Sequence, residues 1–215
     1  MTVLKARPLA GALGAQVTGV DLSQPLDEKT AADLNQAFLD HLVLCFPNQS
    51  MNPSSMLKLT ESLGGVGETP YLTGLENYPD VVPIIKEPTE KSALTFGSGW
   101  HTDFTFQAQP PSKTLLYAVE VPPAGGDTLY TNLYLAYEAL SEGMKNLLDG
   151  MTAMHSAVRS YGPNAKLKDQ MESMTINNAT STPELMEHPV IRTHPETGKK
   201  ALWVNPVYTI RFKNM

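Results

Sequence analysis

The sequence predicts a mainly β chain with helices on its flanks. Two observations carry this. Seventeen prolines and 15 glycines punctuate 215 residues, so the stretches between breakers suit short strands and loops rather than a helical bundle. The apolar runs, such as Val43-Leu44-Cys45-Phe46 and Thr114 to Val119, have the length of strands. A composition of 41% hydrophobic and 18% charged residues is that of a folded globular chain. The length suits a single domain over 1–215.

Each element has its own signal. Residues 1–26 read as short strands joined by turns, and Asp27 is placed to cap a helix from Glu28 to about Leu42. Leu34, Phe38 and Leu42 recur there at four-residue spacing. Val43 to Phe46 reads as a buried strand ended by Pro47, with Cys45 packed inside it. A second helix is predicted over Pro53 to Ser62, with Asn52 as cap and Pro53 at the first helical position. Residues 64–80 form a loop; further strands are expected over 81–86, 114–119 and 129–131, and the residues of 95–106 alternate aromatic with polar. Residues 134–141 and 142–149 read as a helical pair, and the polar, Met-rich stretch 163–184 as a mobile lid. The closing strands lie near 190–192 and 201–204, joined by the turn Pro195-Glu196-Thr197-Gly198.

Composition excludes several functions. A net charge of -6 disfavours a phosphate-backbone binder, so no nucleic-acid partner is expected. One cysteine excludes an intramolecular disulfide framework and a Cys-based zinc cluster. There is no signal-peptide core and no apolar run of membrane-spanning length, so a cytoplasmic protein without a membrane partner is expected. Gly64-Gly65-Val66-Gly67 lacks the Lys-Ser/Thr that a phosphate cradle needs.

The chemistry-bearing segment is Gly99-Trp100-His101-Thr102-Asp103-Phe104. On a strand, residues i and i+2 share a face, so His101 and Asp103 project together. An imidazole and a carboxylate so placed supply two ligands of a 2-His-1-carboxylate iron site. The bare tripeptide also fits a surface His and Asp that share a hydrogen bond. Downstream, Pro123-Ala124-Gly125-Gly126-Asp127-Thr128 precedes Tyr137-Glu138-Ala139-Leu140. The paired glycines permit a tight turn, and Thr128 offers a hydroxyl donor.

These segments, with Gly14-Ala15-Gln16-Val17-Thr18-Gly19-Val20-Asp21-Leu22 before them and HPVIRTHPETGKKALWVN at 188–205 after them, resemble the Fe(II)- and 2-oxoglutarate-dependent dioxygenases of the taurine dioxygenase and 2,4-dichlorophenoxyacetate dioxygenase type. The resemblance implies a double-stranded β-helix, the jelly-roll or cupin-like architecture. It implies Fe(II), bound by His101 and Asp103, with 2-oxoglutarate held through Thr128. The reaction implied is hydroxylation of a small organic acid by O2, with release of succinate and CO2. Related enzymes are oligomers, so a homo-oligomer is expected. Thr69, Leu72, Phe104, Tyr161 and Tyr208 match positions at or near the substrate pocket. Thr69 stands where taurine enzymes have a sulfonate-gripping His, and Gly97 where they have an Asn; both disfavour taurine. Trp100 is expected to pack under the metal site, Trp203 in the core, and Met171, Met174 and Met186 on the lid's packing surface.

In that family the third ligand, a His, and an Arg that pairs with 2-oxoglutarate follow the segment at 188–205. Neither motif occurs before Met215, so the chain is expected to be a fragment, its last barrel strands absent. His155, His188 and His194 match positions that are not ligands in the family. Two alternatives stand beside the dioxygenase reading: a cupin-like binding protein without catalysis, and a zinc hydrolase using His101 and Asp103.

Overall fold

A computed structural model describes residues 4–92 and 94–215; Met1–Val3, the head of the strand-and-turn segment expected over 1–26, lie outside the described residues. The chain forms two compact units, one from residues up to 66 together with 113–136, the other from 67–112 and 137–215.

In the first unit, β1 (Lys5–Pro8) pairs antiparallel with β2 (Ala15–Thr18), which pairs parallel with the two-residue β3 (Leu44–Cys45). Period-2 alternation turns Ala15 and Val17 of β2 inward. Between β2 and β3 runs α1 (Glu28–His41), started by Asp27, whose carboxylate accepts from Thr30 N at 2.7 Å. Its apolar spacing buries Leu34 and Ala37, and Leu34 meets Val17, Leu22 and Leu59 in the core. Each such buried leucine contributes roughly 2 kcal/mol by removal from water. Leu59 comes from α2 (Pro53–Ser62), which carries a capping box between Asn52 and Ser55 and Pro53 in its first turn. Cys45 is exposed rather than packed inside, because β3 is too short to be covered on both faces.

The second unit contains α3 (Leu133–Glu138) in part, α4 (Glu142–Leu148), β4 (Thr152–His155), α5 (Val158–Tyr161), α6 (Leu167–Gln170), β5 (Met186–Pro189), β6 (Ile191–Thr193), β7 (Lys200–Leu202) and β8 (Thr209–Phe212). One antiparallel sheet has the order β5-β4-β8, with a register shift between Met154 and His155; β6 and β7 form a hairpin over the predicted turn. The core gathers Phe106, Ala157, Tyr161, Met171, Met174, Ile176 and Tyr208. Met171 and Met174 thus pack as the sequence suggests, with Ile176 of the same 163–184 stretch bridged to Leu72.

Three predicted strands, and the extended backbone assumed at His101 and Asp103, are corrected. Segments 81–86, 95–106, 114–119 and 129–131 form no strand ladder among the described residues. Apolar alternation encodes a face, whereas a ladder also requires a neighbouring strand. Residues 111–118 do alternate half-buried with exposed. Leu115 packs on the first unit's core, and the Tyr117 hydroxyl donates to Gln49 O and accepts from Met51 N, both at 3.3 Å. The outward residues are bare: Leu116 is 62% exposed and Val119 88%, with Val121, Leu129 and Tyr130 exposed beyond them. Among the described residues no helix is long and apolar enough to cross a membrane.

Candidate metal centre

His101 Nε2 lies 3.0 Å from Asp103 Oδ1, so the two side chains predicted to act together do meet. They meet by a route other than a strand. Residues 103–106 form a turn, and Phe104 takes φ +49°. That left-handed conformation in a bulky residue is strained by about 1 kcal/mol or more. The turn closes through Gln107 N donating to Phe104 O at 2.9 Å. It sends Asp103 towards His101 and buries Thr105 completely.

The His101 ring is fixed from its other side. Nδ1 lies 2.7 Å from Gly99 O, and a carbonyl only accepts, so Nδ1 carries a proton and Nε2 is turned to the carboxylate. Such a contact selects the tautomer a metal-binding imidazole needs. Two glycines make it possible. Gly97 has φ +75°, where a side chain would strain the backbone, and a Cβ on Gly99 would lie 2.9 Å from Val207. The His101 pKa is raised, first by the hydrogen bond to Asp103 and against the effect of burial. The side chains remain reachable, 24% exposed for His101 and 37% for Asp103.

An aromatic wall adjoins the pair. The Tyr208 ring stands edge-on to His101 at 6.1 Å between centroids and edge-on to Phe106 at 5.0 Å. Tyr71 stacks on Tyr161 at 5.0 Å and 18°, and Phe104 meets Phe106 at 5.7 Å. Burial pushes the Tyr161 and Tyr208 phenol pKa values up, so both stay neutral.

Of the residues singled out in the sequence, His101, Asp103, Phe104, Tyr161 and Tyr208 are brought together, and Leu72 packs on the same aromatic cluster. Thr69 is half-buried at the start of that loop, its carbonyl accepting from Leu72 N at 3.4 Å. Thr128 lies in the first unit, exposed, after Gly125 and Gly126 in positive φ. Trp100 is 52% exposed rather than packed beneath the pair, and Trp203 is half-buried under the Arg192 guanidinium at 4.7 Å. Tyr71, Phe106, Thr105 and Asn205 were not legible as site residues. Tyr71, at φ +71°, adjoins Leu72, and an aromatic neighbour in that loop was the one available signal.

Among the described residues no group of three His, Cys, Asp or Glu converges as a metal site. His155 and His188 are buried elsewhere in the unit, and His194 Nδ1 accepts from Glu196 N and Thr197 N in the β6–β7 turn. The donors present, a tautomer-fixed imidazole and a carboxylate, fit two positions of an Fe(II) facial triad.

Residues 5–215 match the model of the taurine catabolism dioxygenase TauD, TfdA family, and the chain belongs to that family. It is 32% identical over 201 residues to an alkylsulfatase of Acinetobacter baylyi, covering 93% of this chain and 62% of that protein. It is 31% identical over 204 residues to an alpha-ketoglutarate-dependent sulfate ester dioxygenase of Pseudomonas putida, covering 93% and 65%. The crystal structure of a taurine dioxygenase from Burkholderia xenovorans superposes with a TM-score of 0.73 at 29% identity, over 99% of this chain and 66% of that one. The chain therefore spans a little under two thirds of the length of these two curated relatives.

Proposed function

We propose that the protein is an Fe(II)- and 2-oxoglutarate-dependent dioxygenase that hydroxylates a small organic acid of the sulfate ester type, built on a double-stranded β-helix. The observation that carries this reading is the His101–Asp103 pair, 3.0 Å apart with the ring pinned at Gly99 O. His101 Nε2 and Asp103 would hold the iron, and Thr128 a carboxylate of 2-oxoglutarate. When bound, Fe(II) with 2-oxoglutarate and O2 supplies C–H hydroxylation, with release of succinate and CO2.

The chain's own residues do the rest. Gly99 O fixes the His101 tautomer. Tyr71, Phe104, Phe106 and Tyr208 present an apolar surface beside the pair, suited to the alkyl or aryl part of a substrate. The names of the two curated relatives support a sulfate ester. Hydroxylation of the carbon bearing the ester oxygen gives a product that collapses to an aldehyde and inorganic sulfate.

A second reading, a binding protein without turnover, is favoured by the absence of a third converging ligand among the described residues. Anaerobic titration with Fe(II) and then 2-oxoglutarate separates the two. The dioxygenase reading expects a weak visible charge-transfer band. Admission of O2 with an alkyl sulfate should then release succinate and sulfate, both lost in His101→Ala and Asp103→Ala. A folded protein that binds 2-oxoglutarate and yields no succinate sinks it in favour of the binding reading.

A further inference from the structure

Asn205 is 9% exposed and bonds through both ends of its amide. Its Oδ1 accepts from Val207 N at 3.2 Å and Tyr208 N at 2.8 Å, which fixes the turn that carries Tyr208. Two backbone donors demand an acceptor on that side, so the amide cannot be flipped. Its Nδ2 consequently donates to Thr105 Oγ1, at 3.2 Å. Thr105 is fully buried, two residues beyond Asp103, and its hydroxyl also meets His155 Nδ1 at 2.9 Å. His155 stands edge-on to His188, whose Nε2–H donates to Gln107 O at 2.9 Å, beyond the far end of the same turn.

The 103–107 turn is thus gripped at two points from beneath. A strained Phe104 and an Asp103 reachable by solvent sit above those grips. A turn with an unfavourable φ holds only where its surroundings over-determine it. We propose that Asn205 and Thr105 are positioning residues for the cation pair, locking Asp103 opposite His101 and setting Tyr208 beside them through one shared amide. This rests on the reading of His101 and Asp103 as metal ligands.

The test uses Mn(II), a redox-stable divalent probe, with affinity read by electron paramagnetic resonance and folding by circular dichroism and Tm. Thr105→Val keeps the buried shape and removes the hydroxyl; Thr105→Ser restores it. We expect Thr105→Val and Asn205→Ala each to bind Mn(II) about tenfold more weakly, the size found for groups that orient metal ligands. Thr105→Ser should stay within about twofold of the parent, and the two losses should fall short of additive in the double variant, because both cut the Thr105–Asn205 link. A Tm that falls while Mn(II) affinity stays within about twofold in folded Thr105→Val overturns the positioning role and leaves the metal site standing. If His101→Ala binds Mn(II) as the parent does, the metal reading itself fails and takes the proposal with it.

Discussion

His155 and His188 face each other edge to face, 5.3 Å between ring centroids, on the inner face of one antiparallel sheet. His155 is wholly buried, and its Nε2 has no hydrogen-bond partner among the described residues. Burial, followed by the neighbouring His188, lowers its pKa to about 4; burial also lowers that of His188, partly offset by the Gln107 carbonyl.

Acid should therefore destabilise the second unit well above the carboxylate range. A histidine of depressed pKa binds its proton in the unfolded state first, so stability is lost as pH falls from about 6.5 towards 4. His155 alone accounts for about 2 kcal/mol between pH 7 and pH 5. Its neighbour adds to this in the same direction. Urea unfolding at the two pH values measures it, and His155→Gln should flatten the dependence. Equal loss in parent and variant would place the acid-labile group elsewhere.

Protons should compete with metal at His101. Its raised pKa means that the protonated ring persists above the ordinary histidine range, so affinity for a divalent cation falls as pH drops through that raised value. Asp103→Asn removes the main cause of the shift. Isothermal titration across pH 5.5 to 8.5 should show weaker binding in the variant, with its pH edge moved lower. An unmoved edge would mean that Asp103 does not set the ring's protonation.

Gly99 is a packing determinant of the same ring. A methyl there would lie 2.9 Å from Val207 and displace the carbonyl that pins Nδ1. Gly99→Ala should weaken Mn(II) binding several-fold, and adding Val207→Ala should restore most of it. Failure of the second change to rescue the first would show that backbone freedom, not contact with Val207, is what Gly99 provides.

The first unit offers a control remote in chemistry. Asn52→Ala removes the acceptor for Ser55 N at 2.9 Å and breaks the capping box of α2. A loss of about 1 kcal/mol in denaturant unfolding is expected, with the Mn(II) affinity of the second unit unchanged.

What could be read from the sequence was what depends on local chemistry. Asp27, Asn52 and Pro53 announced two helices because caps act within one turn of chain. The His101–Asp103 spacing announced that the two side chains meet, although a left-handed Phe104 and not a strand brings them together. Segments 81–86 and 114–119 misled because strand-like patterning does not name a partner. The grip of Asn205 on Thr105 spans 100 residues and involves ordinary polar types. Such a contact has no periodicity, and only the fold reveals it.

Segment 111–118 has a consequence for handling. Leu115 has found its neighbours in the first unit's core, while Leu116 and Val119 hold water against hydrocarbon. Exposed apolar side chains of this size favour association between copies. Leu116→Lys with Val119→Lys should raise the protein density at which light scattering sets in, with the helix caps and the His101–Asp103 contact untouched.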